Sequence, residues 1–92
     1  MIINLVLQTS EVTIQQFNLL TEDSQANTIY EEGVLISLRT TSEYRILLYQ
    51  VEGFYVEVYY HPRHNEIKEF KSFTSTEELE PYLEKINLEG VF

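Results

Sequence analysis

The sequence predicts an α+β domain: a four-stranded antiparallel meander sheet with an N-terminal helix and a C-terminal helix packed on one face. Three observations predict this fold. Residues 33–73 contain four segments in which apolar and polar side chains alternate, as they do in half-buried strands. Short turns join these segments, which favours hairpins between consecutive strands. Helical patterns precede and follow them, and the 92 residues (1–92) fit one domain around one core.

Composition and charge narrow the classes of function. The chain has no cysteine, which excludes disulfides, a thiolate nucleophile and cysteine-ligated metal sites. Its net charge is −9, with five acids and no base in residues 1–38 and Lys85 alone against five acids in residues 74–92. A negative potential repels nucleic acid and anionic membranes and attracts basic partners. We expect a cytoplasmic protein without a cofactor that binds neither nucleic acid nor membrane.

The first twenty residues predict a core-packing segment followed by a short helix. The apolar run at residues 1–7 lacks the basic start and the cleavage site of a signal peptide, so we expect it to pack on the core. Ile14, Phe17 and Leu20 recur at a spacing of three, which favours a helix. Residues 12–14 fit a strand equally well, and the alternative stays open.

A second helix leads into the first hairpin. Thr21 is a suitable N-cap, and Gly33 can end the helix in the left-handed conformation. The first strand then alternates up to a three-residue loop at Thr40–Ser42. That loop pairs Leu38 with Tyr44.

The second hairpin decides which side chains share a sheet face. A three-residue loop that ends on Gly53 in the left-handed conformation pairs Gln50 with Phe54. A two-residue turn would place Glu57 beside Leu48 and mix apolar with charged side chains, so we reject it. In the preferred register, the even-numbered strand residues form one aliphatic face for the helices to cover.

The fourth strand and the last helix complete the fold. Glu66–Phe73 forms the strand, with Asn65 left-handed in the preceding turn and a bulge or early end where apolar residues are spaced by three. Ser75–Glu78 is a capping box, and an apolar stripe follows it. Pro81 divides the segment into a first turn and a helix to about Ile86. The tail at residues 88–92 is expected to dock onto the domain.

The second sheet face carries the candidate binding site. Tyrosine and arginine are enriched in interface hot spots because they bury a large area and keep a polar group. We expect a non-enzymatic protein-interaction module whose partner is another protein or a second copy. The alternative is structural, since tyrosine is a good strand former and the N-terminal segment could cover this face. The candidate binding residues are Arg45, Leu47, Tyr49, Tyr55, Glu57 and Tyr59.

Two other functions stay open. An acidic inhibitor or immunity-type protein would bind a basic partner through its glutamate-rich helices. A small metal-binding enzyme would use His61, His64 and Glu66 at the third hairpin, together with Glu57. Exposed histidines that bind no metal are also common in turns. The chain has no Gly-rich phosphate loop and no nucleophile elbow. Catalytic residues are therefore not assigned.

Three segments of the chain carry a family resemblance: Phe54–His61, Asn65–Ile67 and Leu79–Ile86. In these segments the chain resembles a group of short uncharacterised bacterial proteins, chiefly from Bacteroidetes. The resemblance implies a stand-alone cytoplasmic domain of unassigned function. It implies no catalytic residues.

Overall fold

The computed structural model describes residues 12–83. Within them, the strands form an open antiparallel sheet in the order β1-β2-β3-β4, which confirms the α+β class and the meander. The expectations for residues 1–7 and 88–92, and for the helix beyond Leu83, lie outside the described residues. The elements in chain order are α1 (Ile14–Asn18), α2 (Glu22–Glu32), β1 (Gly33–Thr40), β2 (Arg45–Val51), β3 (Phe54–His61), β4 (Glu66–Phe73) and a 3-10 helix (Thr76–Tyr82).

Side-chain caps start both α-helices. The Thr13 hydroxyl accepts from the Gln16 amide (3.1 Å), and the Gln16 side chain accepts from the Thr13 amide (2.9 Å). This capping box explains why residues 14–18 form a helix rather than a strand. Thr21 caps α2 as predicted, because its hydroxyl accepts from the Ser24 amide (3.2 Å).

Gly33 does not end α2 in the left-handed conformation, so that prediction was wrong. Its backbone is extended (φ −87°, ψ 147°), and the helix passes directly into β1. A Cβ atom at this position would lie 2.7 Å from the Ile29 carbonyl oxygen and 3.2 Å from the Tyr49 ring. Glycine is required here for a close approach between helix, strand and ring.

The predicted register of the second hairpin was also wrong. Val51 pairs with Phe54 around a two-residue turn, and Leu48 lies opposite Glu57. Glu52, rather than Gly53, takes the positive φ (51°). Even-numbered residues of β2 therefore share a face with odd-numbered residues of β3.

The first hairpin has a longer loop than predicted. Thr40 pairs with Arg45, so the Leu38–Tyr44 pairing was wrong. The Thr41 hydroxyl accepts from the amide of Tyr44 (3.0 Å) and so stabilises the turn. A bulge between Leu35 and Ser37 also shifts the register of β1 against β2.

The third hairpin agrees with the sequence-based expectation. Asn65 adopts the left-handed conformation (φ 53°). The register of β4 against β3 shifts by one residue, so that Tyr59 pairs with Glu69 and Tyr60 with Ile67. A bulge, rather than an early strand end, accounts for the spacing of three between Ile67 and Phe70, and Phe73 lies on the opposite sheet face.

Helical segments cover both sheet faces, not one as predicted. The face under α1 and α2 is here named the α face, and the opposite one the 3-10 face. The Ser75 hydroxyl accepts from the Glu77 amide (3.1 Å), one residue earlier than a capping box requires, and the 3-10 helix runs through Pro81. The α-face core comprises Phe17, Ile29, Val51, Phe54, Val56 and Val58. The 3-10 face core comprises Leu48, Phe73 and Tyr82, with Tyr55 and Leu79 against it.

Candidate functional site

The six predicted binding residues do not form one surface. Pairing places Tyr49 opposite Val56, while Tyr59 lies opposite Ile46. Paired residues share a face, and Ile46 and Tyr49 lie on opposite faces of β2 because they are three residues apart. Tyr49 and Tyr59, and with them the two halves of the set, therefore point in opposite directions. The α face carries Arg45, Leu47 and Tyr49, and the 3-10 face carries Tyr55, Glu57 and Tyr59. The single tyrosine-rich face was therefore a wrong prediction.

On the 3-10 face, Glu57 is a buried carboxylate with three donors. It is 3% exposed and accepts from the Tyr82 hydroxyl (2.6 Å), the Arg39 guanidinium (3.2 Å) and the Tyr59 hydroxyl (3.2 Å). Arg39 also lies over the Tyr82 ring, 5.3 Å from its centroid. A buried charge is tolerated when it is paired and hydrogen-bonded, as it is here.

This cluster joins β1, β3 and the 3-10 helix. Burial and the hydrogen bond to Glu57 raise the pKa of Tyr82 well above its ordinary value, and burial raises the pKa of Tyr59 in the same direction. Both hydroxyls therefore stay protonated as donors to the carboxylate. Because Glu57 is almost fully shielded from solvent, the arrangement holds the fold together and offers a substrate no access.

The third hairpin brings two histidines together. The His61 and His64 rings are stacked, with centroids 4.3 Å apart and planes 6° from parallel, and Tyr44 meets His61 edge-on. Ring nitrogens of parallel stacked imidazoles direct their lone pairs along parallel planes, so they do not converge on one ion. Glu66 pairs with His61 in the ladder, and Glu57 is engaged elsewhere. In residues 12–83, no group of three His, Cys, Asp or Glu side chains could hold a metal.

On the α face, a shallow groove lies beside the part of the sheet that α1 and α2 cover. It has a volume of about 380 Å³, and Arg45 is its one charged lining residue. Leu38 and Ile67 remain 46% and 45% exposed at its rim. We name this the apolar groove; its lining residues are Leu38, Arg45, Leu47, Tyr49, Val58, Tyr60 and Ile67.

A second depression extends the apolar groove towards α2. It shares Tyr49, Val58 and Ile67 with the groove and adds the exposed ring of Tyr30. Contiguous exposed apolar surface is a feature that interaction sites share.

Sequence reasoning found Arg45, Leu47 and Tyr49 but missed the rest of the groove lining. Leu38, Val58 and Tyr60 belong to the even-numbered set that was expected to lie under both helices. The alternation of apolar and polar residues in these strands was therefore a signal that could have placed the three residues on one surface. Two errors hid the groove: the register of β2 against β3 was wrong, and the 3-10 helix packs on the opposite face. In the described part of the chain Leu38 is exposed and Tyr60 is half-buried, whereas Val58 is buried.

Fold and surfaces together define a class: a small α+β domain on an open antiparallel meander, with a buried ionic cluster on one face and an apolar groove on the other. None of the known family models matches the chain, and neither the curated proteins nor the solved structures yield a match. The resemblance to short bacterial proteins stays a prediction. Within residues 12–83, the helices fall short of the length and apolar character needed to cross a membrane.

Proposed function

We propose that this protein is a cytoplasmic, non-enzymatic protein-interaction module that holds an apolar segment of a partner protein in the apolar groove. The groove itself supports this proposal. It combines two large aromatic rings, one arginine and aliphatic side chains on a rigid sheet surface. That composition is typical of interface hot spots, which are rich in tyrosine and arginine.

The energetics favour a partner over continued exposure to water. Burying the exposed half of Leu38 or of Ile67 would contribute about 1 kcal/mol for each side chain. Tyr49 and Tyr60 are already half-buried, so they lose little side-chain entropy when a partner covers them. A few such contacts are sufficient for a specific, reversible complex.

Charge indicates the chemistry of the partner. The chain carries a net charge of −9, and Glu43 and Glu66 lie in or beside the turns near the Arg45 end of the groove. We expect an apolar anchor flanked by lysine or arginine, and we expect the complex to weaken as salt rises. The same charge disfavours nucleic acid and anionic membranes as partners.

Site-specific photo-crosslinking in the cell of origin tests the proposal. A photoreactive phenylalanine analogue replaces Leu47 in the groove or, as a control, Leu19, which is 86% exposed and outside it. We expect a discrete protein adduct from position 47 alone, and its loss when Ile67→Lys, at the groove rim on β4, is added. The purified partner should then bind more weakly as salt is raised. Equal adducts from both positions, or none from position 47, would contradict the proposal.

The acidic inhibitor remains a second proposal because the acids of the 3-10 helix are exposed. Glu77, Glu78 and Glu80 all face solvent, away from the apolar groove. If these residues bind a basic partner, Glu77→Lys with Glu78→Lys abolishes binding and Ile67→Lys leaves it unchanged. The groove proposal predicts the reverse order of effects.

A further inference from the structure

The two edge strands of the sheet each contain one bulge, but they differ in charge. The outer strand β4 carries alternating charges at Glu66, Lys68, Glu69 and Lys71, which discourage pairing with another strand. β1 contains no acid, and its one charged side chain, Arg39, is engaged with Glu57. Four of its apolar side chains are exposed: Val34, Leu35, Ile36 and Leu38. In the described residues no further strand pairs with this edge.

We infer that two copies of this chain pair antiparallel along β1, so that their sheets join into one eight-stranded sheet. The site is the outer edge of Gly33–Thr40, and the partner is the same edge of a second copy. This dimer is separate from the groove's partner, and the two proposals can fail independently.

The bulge in β1 sets the register in which the strand is complementary to itself. It places Leu35 and Leu38 on the same α face, three residues apart, because Leu35 pairs with Tyr49 and Leu38 with Leu47. In a two-fold pairing centred between residues 36 and 37, Leu35 lies opposite Leu38 of the second copy. Val34 then lies opposite Arg39 and Gly33 opposite Thr40, each pair on a common face. In a strand without a bulge, this register would put every opposed pair on opposite faces.

The same register joins the apolar surfaces of the two copies. Leu38 lines the apolar groove, and Leu35 of the second copy would lie directly beside it. The two grooves would therefore become one apolar surface that continues across the seam. Cross-strand pairs of aliphatic side chains are a principal stabilising contact in antiparallel sheets.

Charge complementarity also favours a second copy as the occupant. In the proposed register, Gly33 lies opposite Thr40 of the second copy, and that Thr40 pairs with Arg45 of its own copy. Glu32, which precedes Gly33, is partly exposed and forms no ion pair among the described residues. Arg45 is exposed and forms no ion pair in that same part of the chain. Two strand spacings amount to about 10 Å, which the two side chains can span. By symmetry the dimer gains two Glu32–Arg45 pairs.

The solution mass of the full chain, measured by light scattering over a concentration series at about 0.15 M salt, tests the dimer. We expect the mass to rise with concentration from 10.9 kDa towards twice that value. Leu35→Lys should raise the dimer dissociation constant by about tenfold or more, because it places a charge against an apolar side chain. Leu19→Lys, an exposed position far from β1 in sequence, should leave the constant unchanged.

A charge swap tests the register. Glu32→Arg and Arg45→Glu should each weaken the dimer, by about threefold or more, and the double variant should regain most of the loss. Circular dichroism confirms that each variant is folded. A monomer at all concentrations, a dimer indifferent to Leu35→Lys, or no recovery in the double variant would overturn the inference. Protection of the outward-facing β1 amides, those that do not bond to β2, from hydrogen exchange in a monomer would identify a cover from within the same chain. That result would overturn the inference too.

Discussion

Tyr82 donates a 2.6 Å hydrogen bond to the carboxylate of Glu57, and both residues are buried. The bond joins the 3-10 helix to the third strand, 25 residues apart in sequence. A hydrogen bond to a charged acceptor in a buried site is among the stronger single contributions to stability.

Tyr82→Phe removes the donor and leaves the ring in place. We expect a loss of about 1.5–3 kcal/mol in the free energy of unfolding, because the carboxylate loses one of three donors without regaining water. Urea denaturation measures the loss. Tyr30→Phe is the matched control, since that ring is 85% exposed, and it should change stability by less than about 0.5 kcal/mol. Equal stability of the two variants would contradict the prediction.

Arg39 supplies the countercharge, although its side chain is 26% exposed. Arg39→Met leaves the Glu57 carboxylate with neutral donors alone, and we expect it to cost about 2–4 kcal/mol. Adding Glu57→Gln removes the uncompensated charge and keeps an acceptor for the Tyr82 hydroxyl. The double variant should therefore be more stable than Arg39→Met by about 1 kcal/mol or more. Additive losses in this cycle would show that the two side chains are not coupled.

The hydrogen-bonded cluster around Glu57 also explains why the sequence pattern predicted the wrong register for the second hairpin. A two-residue turn was rejected because it places a carboxylate beside Leu48, and a lone carboxylate there would indeed be prohibitive. The partners that make it tolerable, Arg39 and Tyr82, lie 18 residues before and 25 residues after Glu57. Local pattern reasoning does not detect partners at such separations.

Features that depend on neighbouring residues were predictable. The Thr21 cap, the left-handed Asn65 and the bulge in β4 each follow from a few adjacent side chains, and the structure contains all three. The choice of sheet face for the 3-10 helix depends instead on the burial of Tyr82 and on its distant acceptor. The register of β3 against β2 likewise depends on the distant partners of Glu57, and because that register was predicted wrongly, half of the candidate site was predicted on the wrong face.

Stability should fall in alkaline solution. Burial and the hydrogen bond to Glu57 hold the pKa of Tyr82 above its ordinary value, and the pKa of Tyr59 is shifted in the same direction. Tyrosines in the unfolded chain begin to lose protons near pH 10, before those of the folded chain do. The free energy of unfolding is therefore unaffected by these groups below about pH 10 and declines above it, through the folded-state pKa.

Urea denaturation between about pH 8 and pH 11 measures this dependence. Tyr82→Phe should flatten the alkaline decline, whereas Tyr30→Phe, at an exposed position, should leave it as in the parent protein. A decline of the same slope in all three proteins would show that Tyr82 is not its source.

Alanine substitutions at Gly33 and Gly53 can be compared directly, with Gly53→Ala as the control. An alanine Cβ at position 33 would lie 2.7 Å from the Ile29 carbonyl oxygen, a backbone atom that moves only if α2 shifts against β1. We expect Gly33→Ala to cost about 1–3 kcal/mol, as overpacking does elsewhere. At Gly53 a Cβ meets nothing within 4 Å, and the backbone is outside the left-handed region. Gly53→Ala should therefore be neutral, or stabilising by up to about 1 kcal/mol through the unfolded chain. Urea denaturation of the two variants measures the difference in stability. Similar stabilities would mean that α2 and β1 are not held in close contact at Gly33. The Tyr49 side of the apolar groove depends on that contact.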